Sequence, residues 1–439
     1  MYMDKNELKK LLCEAVDSVK DQTKAFADDV AAHAELGFFE TRTSDKLAAA
    51  LEGLGLEVTR GLARTGLRTD MAGGAEGPKV AVIGELDGIV CRQHPLAVED
   101  TGASHACGHN LQISAVYAMA AALAKTGLMK ELAGSVAFLG LPAEEFIEVG
   151  RRTEMRERGE LVYYGGKQEF VRLGVFDDID MSMMVHAGDD AHGRGFTVPD
   201  GGNGFRIFML RYEGKQAHAA AAPHLGVNAL YAAVAGINAV NALRETFRDE
   251  DHIRVHYIIT KGGDSVNSVP DDVRLEGYVR SGNIEKIDET FMKVVRAFKA
   301  GGEALGAKCH VRSIAGYLPL NASKDLNRIF ADNADALVGP EHVERHTYFA
   351  ASTDLGDIAH LMPSIQPSGG GTVGALHSKE FCAEDFEAAV LDPAKVMLMT
   401  LVDLLYDGAK EAKEVLANFK PVYTKEEYLA AMDSRFFSE

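Results

Sequence analysis

Two scarcities in this sequence exclude whole classes of partner. Basic residues are fewer than acidic ones, 46 against 65, and the formal net charge is −19. Because nucleic-acid backbones and anionic membrane surfaces bind cationic faces, we expect neither as the main partner. The sequence also lacks a run of about 18 apolar residues, so no transmembrane helix is predicted. An anionic substrate must then be met by local positive charge, most simply by a metal ion.

Cysteine is scarce as well. The five cysteines are scattered, odd in number and unpatterned, which fits a reducing compartment better than a disulfide framework. The first stretch, "MYMDKNELKKLLCEAVDSVKDQTKAF", is charged throughout and lacks the apolar core of a signal peptide, so we expect it to form a first helix. These features predict a cytoplasmic protein. Its 439 residues, 46% of them hydrophobic, suffice for two or three domains.

Three short apolar runs share a polar ending. "KVAVIGELD" (79–87) ends in carboxylates, "SVAFLGLPAEE" (135–145) in a glutamate pair, and "MSMMVHAG" (181–188) contains His186. Runs of this kind are typical of strands buried on both faces, and the segments between them predict covering helices. The sequence thus predicts an α/β domain with a parallel sheet. In such sheets the functional crevice lies at the carboxyl ends of the strands, where these polar residues converge.

The pattern changes after about residue 200. The order β-α-β-β-α-β, with helices at roughly 224–247 and 286–305, predicts a ferredoxin-like α+β domain. The α/β pattern then returns, with a glycine-rich stretch at 367–381. We therefore predict a catalytic domain formed by residues 1–200 and 315–439, interrupted by an inserted domain at 201–314.

Six residues in or near these strand ends could hold metal. Thiolate, imidazole and carboxylate together suit zinc, manganese, cobalt or iron better than calcium or magnesium. Two ions about 3.5–4 Å apart could share a water, lower its pKa and stabilise the oxyanion formed when it attacks a carbonyl. Each residue alone has an ordinary structural explanation, and the joint occurrence at strand ends favours a site. The candidates are Cys107, His109, Glu144, Glu145, His186 and His377.

Local geometry suggests roles within this set. Adjacent glutamates in an extended chain point to opposite sides, so we assign Glu145 to metal and Glu144 to the general base. Cys107 and His109 are one residue apart, and an extended chain would place both side chains on the same side for joint coordination.

Eight motifs occur in an order that resembles metallopeptidase family 20. They are "GELDGIV", "HACGHN", "PAEE", "VFDDIDMSMMVHA", "GKQAHAAAAPHLGVNAL", "GGDSVNSVPD", "STDLGDIAHLMPS" and "ALHSKEF". The chain is similar to the amidohydrolase subfamily, which includes aminobenzoyl-glutamate, N-acyl-amino-acid and indoleacetyl-amino-acid hydrolases. The resemblance implies a di-metal aminopeptidase-like catalytic domain with an inserted lid that forms a homodimer. It also implies two divalent ions per chain, Mn²⁺ or Zn²⁺.

The resemblance assigns residues by motif. It implies that Cys107 bridges the two metals, with His109, Glu145, His186 and His377 as the other ligands and Glu144 as the base. His218 matches a lid histidine that stabilises the oxyanion, and Asn267 a lid asparagine that holds substrate. The amides of Gly369, Gly370 and Gly371 are candidates to cradle a substrate carboxylate. Asp87 is expected to orient a ligand or a metal-bound water, and His105 is not expected to bind metal.

The sequence also departs from the family's pattern. Asn110 stands where many relatives carry aspartate, and Glu85 stands where the peptidase branches carry a histidine ligand. The charged segment after "PAEE", "FIEVGRRTEMRERGELVYYGGKQEF", replaces a glycine-rich turn and is expected to reshape the pocket. The metal chemistry is unaffected by these changes, whereas a relative's substrate does not transfer.

We therefore predict a metal-dependent amidohydrolase that cleaves N-acyl or aminoacyl amino acids, with an acidic leaving amino acid favoured by the "STDLGDIAHLMPS" motif. Three alternatives stay open at this point. The first alternative is a dipeptidase or carboxypeptidase of the same family. The second is a cysteine hydrolase with Cys107 as nucleophile and His109 as base. The third is a binding module without activity.

Overall fold

The structure is a computed structural model that describes residues 3–439, and the chain divides into two compact units. Unit 1 contains the chain up to Asp200 together with Asn321–Tyr348 and Asp357–Tyr423, and unit 2 contains Gly201–Leu320, Phe349–Gly356 and Thr424–Glu439. The sequence prediction assigned all of 315–439 to the catalytic domain. Residues 315–320, 349–356 and 424–439 lie instead in unit 2, and the last of these segments does so because its short C-terminal strand joins the sheet of that unit.

The α-helices of the described residues are α1 (Lys5–Asp17), α2 (Lys20–Ala31), α3 (Thr41–Glu52), α4 (His109–Thr126), α5 (Val149–Glu157), α6 (Gly166–Leu173), α7 (Ala229–Leu243), α8 (Ile284–Ala304), α9 (Lys324–Val338), α10 (Leu355–Ala359), α11 (Asp392–Asn418) and α12 (Lys425–Asp433). Helix α11 is interrupted at residues 406–409, where the backbone is not helical. Within the described part of the chain, no helix has both the length and the apolar character needed to cross a membrane.

The strands are β1 (Thr59–Leu62), β2 (Gly66–Ala72), β3 (Ala75–Glu85), β4 (Ile89–Val90), β5 (Ala103–Ser104), β6 (Ala133–Leu141), β7 (Met181–Met183), β8 (His186–Ala187), β9 (Phe196–Gly202), β10 (Gly204–Glu213), β11 (Arg254–Lys261), β12 (Asp272–Ser281), β13 (Lys308–Ala315), β14 (Val343–Phe349), β15 (Ser364–Ile365), β16 (Ser368–Gly369), β17 (Thr372–Val373), β18 (Cys382–Ala383) and β19 (Phe437–Ser438).

The main sheet of unit 1 has the strand order β1-β2-β6-β3-β7-β15. Strands β6, β3, β7 and β15 are parallel, and β1 and β2 form an antiparallel hairpin beside β6 that the sequence pattern did not predict. Helices α4 and α11 pack on β3, and α4 is buried on almost every side because alanine and other apolar residues cover its whole surface. The α/β prediction is confirmed.

The parallel register brings the polar strand ends to one edge of the sheet. Glu85 at the end of β3 is paired with Leu141 at the end of β6, and Val82 of β3 is paired with Met183 of β7. The segments that follow these three strands therefore begin side by side. His186 comes next along the chain, in β8, which pairs with β16 in a separate four-stranded sheet.

Unit 2 is an antiparallel sheet with the order β11-β12-β10-β13-β19, and helices α7 and α8 pack on it. Its first four strands have the order of a ferredoxin-like fold, as predicted. The two helices approach closely at Gly236 and Gly301, because a Cβ on Gly301 would lie 2.3 Å from the nitrogen of Gly236. The core of the unit includes Phe208, Phe291 and Phe298.

Candidate metal centre

A tight turn brings Cys107 and His109 together. Gly108 between them has a left-handed φ of 79°, and its N–H donates to the carbonyl of His105 at 2.9 Å. Helix α4 then begins at His109. A side chain at position 108 would lie 2.4 Å from the Cβ of Ala187, so only glycine fits. The prediction that an extended chain aligns the two ligands is wrong, and a glycine turn aligns them instead.

One group of candidate ligand atoms is formed by Cys107, His109 and His186, which lie within 4.8 Å of one another. The Nε2 of His186 is 3.6 Å from the Cys107 Sγ. In both histidines, Nδ1 donates to a backbone carbonyl at 2.8 Å, that of Asp87 for His109 and that of Ala187 for His186. These hydrogen bonds determine the tautomer and leave Nε2 of each ring as the donor atom for an ion.

The second group consists of Cys107, Glu145 and His377. The Nε2 of His377 lies 3.2 Å from the Cys107 Sγ and 3.0 Å from Oε1 of Glu145. His377 has a left-handed φ of 65°, which its N–H supports by donating to the carbonyl of Ala106 at 2.7 Å. The two groups therefore share one atom, the Sγ of Cys107.

The residues fit two divalent ions that share a thiolate. Two zinc ligands with bond lengths of about 2.0–2.3 Å lie roughly 3.3–3.7 Å apart in tetrahedral geometry, close to the distances above. Among the described residues, no hydrogen bond of good geometry reaches the buried Nε2 of His109 or Oε1 of Glu145, although charged atoms are near both. Buried polar atoms that converge and lack a hydrogen-bond partner of good geometry are one sign of a metal site.

Glu144 and Asp87 are next to these two thiolate-sharing groups. Oε2 of Glu144 lies 3.8 Å from Nε2 of His109, and the glutamate is 8% exposed. With Glu85 and His109 it forms a third cluster of ligand-type atoms, which lacks the thiolate. The carboxylate of Asp87 lies 3.2 Å from Nδ1 of His109, and its other oxygen accepts from the N–H of Glu145 at 2.9 Å. Asp87 thus contacts one residue from each thiolate-sharing group, and Glu144 lies outside both.

The protein environment does not prepare Cys107 as a nucleophile. Burial, together with the charges of Glu145 and Glu144, raises the pKa of the thiol well above its ordinary value, despite the opposing effect of His109. A nucleophilic cysteine needs a lowered pKa. A bound cation would convert the Cys107 thiol to a thiolate, because metal coordination deprotonates a thiol.

A buried carboxyl supports the turn that carries the glutamate pair. Glu40 accepts hydrogen bonds from the Thr65 hydroxyl at 2.6 Å and from the N–H of Ala143 at 2.8 Å. Ala143 has a left-handed φ of 53°, which directs the chain into Glu144 and Glu145. Burial, with a contribution from the charge of Asp87, raises the pKa of Glu40 to about 8.

We expect Glu40→Gln to stabilise the metal-free protein increasingly as pH rises from about 5 to about 8. Over this range the unfolded chain loses the Glu40 proton while the folded protein keeps it, so unfolding releases a proton and stability falls with pH. Glutamine keeps a neutral side chain of the same shape and removes this dependence. The midpoint of urea unfolding, measured at several pH values for both proteins, checks this. A difference that does not change with pH would contradict the assignment.

The similarity of this chain to known proteins identifies its family. Residues 202–304 match the peptidase dimerisation domain family. A mouse Xaa-Arg dipeptidase is 30% identical over 318 residues, which cover 70% of this chain and 68% of the relative. The chain belongs to metallopeptidase family M20. It is a metal-dependent hydrolase of amide bonds, and both statements confirm the expectation from the motifs.

Further relatives agree with the M20 assignment. One chain of the p-aminobenzoyl-glutamate hydrolase of Escherichia coli K12 is 28% identical over 393 residues, covering 85% of this chain and 76% of that protein. The fold matches a Bacillus subtilis dinuclear metal-binding peptidase of the M20 family with a TM-score of 0.68, at 19% identity and with 89% and 99% of the two chains covered. The catalytic domain with an inserted domain is therefore the M20 fold, as predicted.

The predicted lid residues lie in unit 2 of this M20 protein. His218 and Asn267 are neighbours there, because His218 forms a β-bridge with Ser268 and the Asn267 carbonyl accepts from the N–H of Ala219. The Nδ1 of His218 accepts from two backbone amides, the closer of them that of Ala221 at 3.0 Å. The oxyanion role of His218 and the substrate role of Asn267 stay predictions.

The glycine-rich stretch is a packed turn. The N–H of Gly370 donates to the carbonyl of Gly195 at 2.9 Å, so this amide is not available to a substrate carboxylate, and that part of the prediction does not fit. Gly371 has a φ of 81°, and a side chain there would lie 2.6 Å from the backbone of Ala389. Close packing explains both glycines. The substrate role of Gly371 stays a prediction.

Sequence reasoning missed two buried cations around the centre and the contact of Glu85 with a candidate ligand. The charged segment after "PAEE" forms α5 and α6 and supplies two buried cations, Arg152 and Lys167. Arg152 donates to the carbonyl of Tyr164 at 2.6 Å. Glu85 lies 3.2 Å from Nε2 of His109. The position of Glu85 at the end of a buried strand was a signal in the sequence for a functional residue. Nothing in the sequence distinguishes Lys167 from a surface lysine.

Proposed function

We propose that this enzyme hydrolyses the amide bond between an acyl or aminoacyl group and a C-terminal amino acid. The observation that carries the proposal is the single thiolate of Cys107, shared by two groups of ligand atoms, with Glu144 beside them but in neither. Five residues would hold the ions, and one carboxylate remains for proton transfer. The proposed ligands are Cys107, His109, Glu145, His186 and His377.

Two divalent ions bound here would lower the pKa of a shared water and stabilise the oxyanion formed at the substrate carbonyl. Glu144 would take a proton from the attacking water and deliver it to the nitrogen of the leaving amino acid as the amide C–N bond breaks. Asp87 keeps the His109 ring and the Glu145 backbone in place for the ligand groups, through the contacts described above. In this proposal, His218 contributes to oxyanion stabilisation and Asn267 contacts the substrate.

The remaining parts of the proposal concern metal, assembly and location. The mixed thiolate, imidazole and carboxylate set favours Zn²⁺ or Mn²⁺. We propose a homodimer through unit 2, supported by the match of residues 202–304 to a dimerisation domain. We also propose a cytoplasmic location, since the five cysteines are free thiols.

Two substrate classes have support from relatives. The E. coli relative is named for p-aminobenzoyl-glutamate, an acylated acidic amino acid, and supports an acidic leaving group. The mouse relative is named for Xaa-Arg dipeptides and supports a basic one. We propose the acidic leaving group as the first candidate, and Xaa-Arg dipeptides as the second.

We expect the enzyme to release free amino acid from a matched panel of substrates only with divalent metal bound, and to turn over one substrate of the panel fastest. The panel contains p-aminobenzoyl, acetyl and alanyl derivatives of glutamate, aspartate, arginine and leucine. Removing metal with a chelator should lower turnover by at least about 10³-fold, and added Mn²⁺ or Zn²⁺ should restore it, because water alone is a poor nucleophile at neutral pH. Metal content per chain is measured in parallel.

The panel separates the alternatives. Preference for glutamate and aspartate in the leaving position supports the first substrate class, and preference for arginine supports the second. Binding of panel members to metal-loaded protein without turnover would overturn the hydrolase. Inactivation by a thiol alkylator with no effect of the chelator would favour the cysteine nucleophile.

A further inference from the structure

A fully buried lysine lies beside the proposed metal centre. Lys167, near the start of α6, has no solvent exposure, and its Nζ lies 2.6 Å from Oε1 of Glu85, which is equally buried at the end of β3. Neither residue is among the proposed ligands. Withdrawing two charges from water costs free energy that their attraction returns only in part. The pair therefore adds little net stability, and it lies next to the proposed ligand His109.

The second oxygen of Glu85 is directed at a metal ligand. Oε2 accepts from the side-chain N–H of Gln112 at 2.9 Å, while Oε1 of Gln112 accepts from the Glu85 backbone N–H at 3.3 Å. The same Glu85 Oε2 lies 3.2 Å from Nε2 of His109. The carboxylate is thus held by Lys167 and Gln112, and it faces the ring nitrogen of His109 that is oriented for an ion.

The Glu85 carboxylate lies between a buried cation and a proposed metal ligand. Its Oε1 is 2.6 Å from Nζ of Lys167, and its Oε2 is 3.2 Å from Nε2 of His109. An ionised carboxylate close to a buried cation site attracts the cation strongly, because the surrounding protein screens the charges less than water does. Lys167 restrains the carboxylate in this position through the ion pair.

We propose that Glu85 is a positioning residue of the metal centre, whose negative charge favours the ion bound through the His109 ring, and that Lys167 acts through Glu85 by holding its carboxylate in place. This inference rests on the proposed function, because it requires the ion held by Cys107, His109 and His186. It predicts an asymmetric effect, since the other ligand group, Cys107 with Glu145 and His377, does not include His109.

The test is a Co²⁺ titration of the metal-free full-length protein, followed by visible absorption and by competition with a chelator. Glu85→Gln should weaken one of the two binding steps by about tenfold or more and leave the other within about twofold. Lys167→Met should weaken the same step. In the Glu85→Gln background, Lys167→Met should add nothing, because the lysine acts only through the carboxylate.

A matched control is Asp403→Asn. Asp403 of α11 is a half-buried carboxylate in the same unit, paired with Lys9 at 2.6 Å, and belongs to no ligand group. This variant measures the effect of removing a paired carboxylate from unit 1 and should leave both binding steps unchanged. Melting temperatures of all variants identify any change that comes from stability alone.

The outcomes distinguish this inference from the proposed function. If wild-type protein binds two ions and Glu85→Gln binds both as tightly as wild type, or loses both steps equally, the positioning role is overturned and the hydrolase stands. If wild-type protein binds no Co²⁺, both are overturned. Loss of one step in Glu85→Gln, with the same step affected in Lys167→Met, supports the assignment.

Discussion

Replacing Cys107 with serine is expected to remove both ions and to lower turnover by at least about 10³-fold. The Sγ of Cys107 belongs to both ligand groups, lying 3.6 Å from Nε2 of His186 and 3.2 Å from Nε2 of His377. A serine hydroxyl is a poor ligand for a borderline-soft ion at neutral pH. Metal content by elemental analysis, together with turnover of the best panel substrate, checks this prediction.

Cys382→Ser is the matched control, because Cys382 is an exposed free thiol that belongs to neither ligand group. It should retain two ions and full turnover. If Cys107→Ser keeps two ions while losing activity, the shared-thiolate assignment is wrong and the nucleophile alternative regains support. If it loses only one ion, Cys107 binds a single metal.

The second large effect is expected at Glu144. Glu144→Gln should lower kcat by about 10²–10⁴-fold while KM and metal content stay near wild type, because the carboxylate is outside both thiolate-sharing groups and only proton transfer is lost. The neighbouring substitution Glu145→Gln should instead lower metal content from two ions to about one. Steady-state kinetics and elemental analysis of the two variants, measured side by side, separate a base from a ligand.

Glu148→Gln serves as the control for both variants. Glu148 is close to them in the chain and pairs with Arg151 on the surface. It should change neither kcat nor metal content. Two results would contradict this assignment. One is metal loss in Glu144→Gln, and the other is full metal content with lost activity in Glu145→Gln. Either would indicate that Glu144 is the ligand and Glu145 the base.

Much of the site was predictable because the signals were local. Buried apolar runs ending in carboxylates or histidine predict parallel strands with their carboxyl ends at one edge, and the register of β3 with β6 and β7 confirms that fold. The prediction based on local backbone shape was wrong, and one amide proposed for substrate binding is already hydrogen-bonded. Cys107 and His109 share a side because of Gly108 at φ 79°, and the N–H of Gly370 is occupied by Gly195.

The distances that define the centre could not be read from the chain. Cys107 is 79 residues from His186 and 270 residues from His377, and Lys167 is 82 residues from Glu85. No local propensity carries information across such separations. A lysine in the sequence is by default a solvated surface residue, so the burial of Lys167 beside a carboxylate was not visible.

The residue types and their order along the chain were enough to predict the α/β class, the inserted domain and a set of candidate metal-binding side chains. Ligand preference and strand periodicity are properties of single residues and short segments, and they do not depend on the tertiary structure. Packing alone decided that one thiolate serves two ligand groups, that Glu144 lies outside both, and that Lys167 holds Glu85 against His109. Those facts depend on distances between segments remote in sequence, and only the close-packed interior determines such distances.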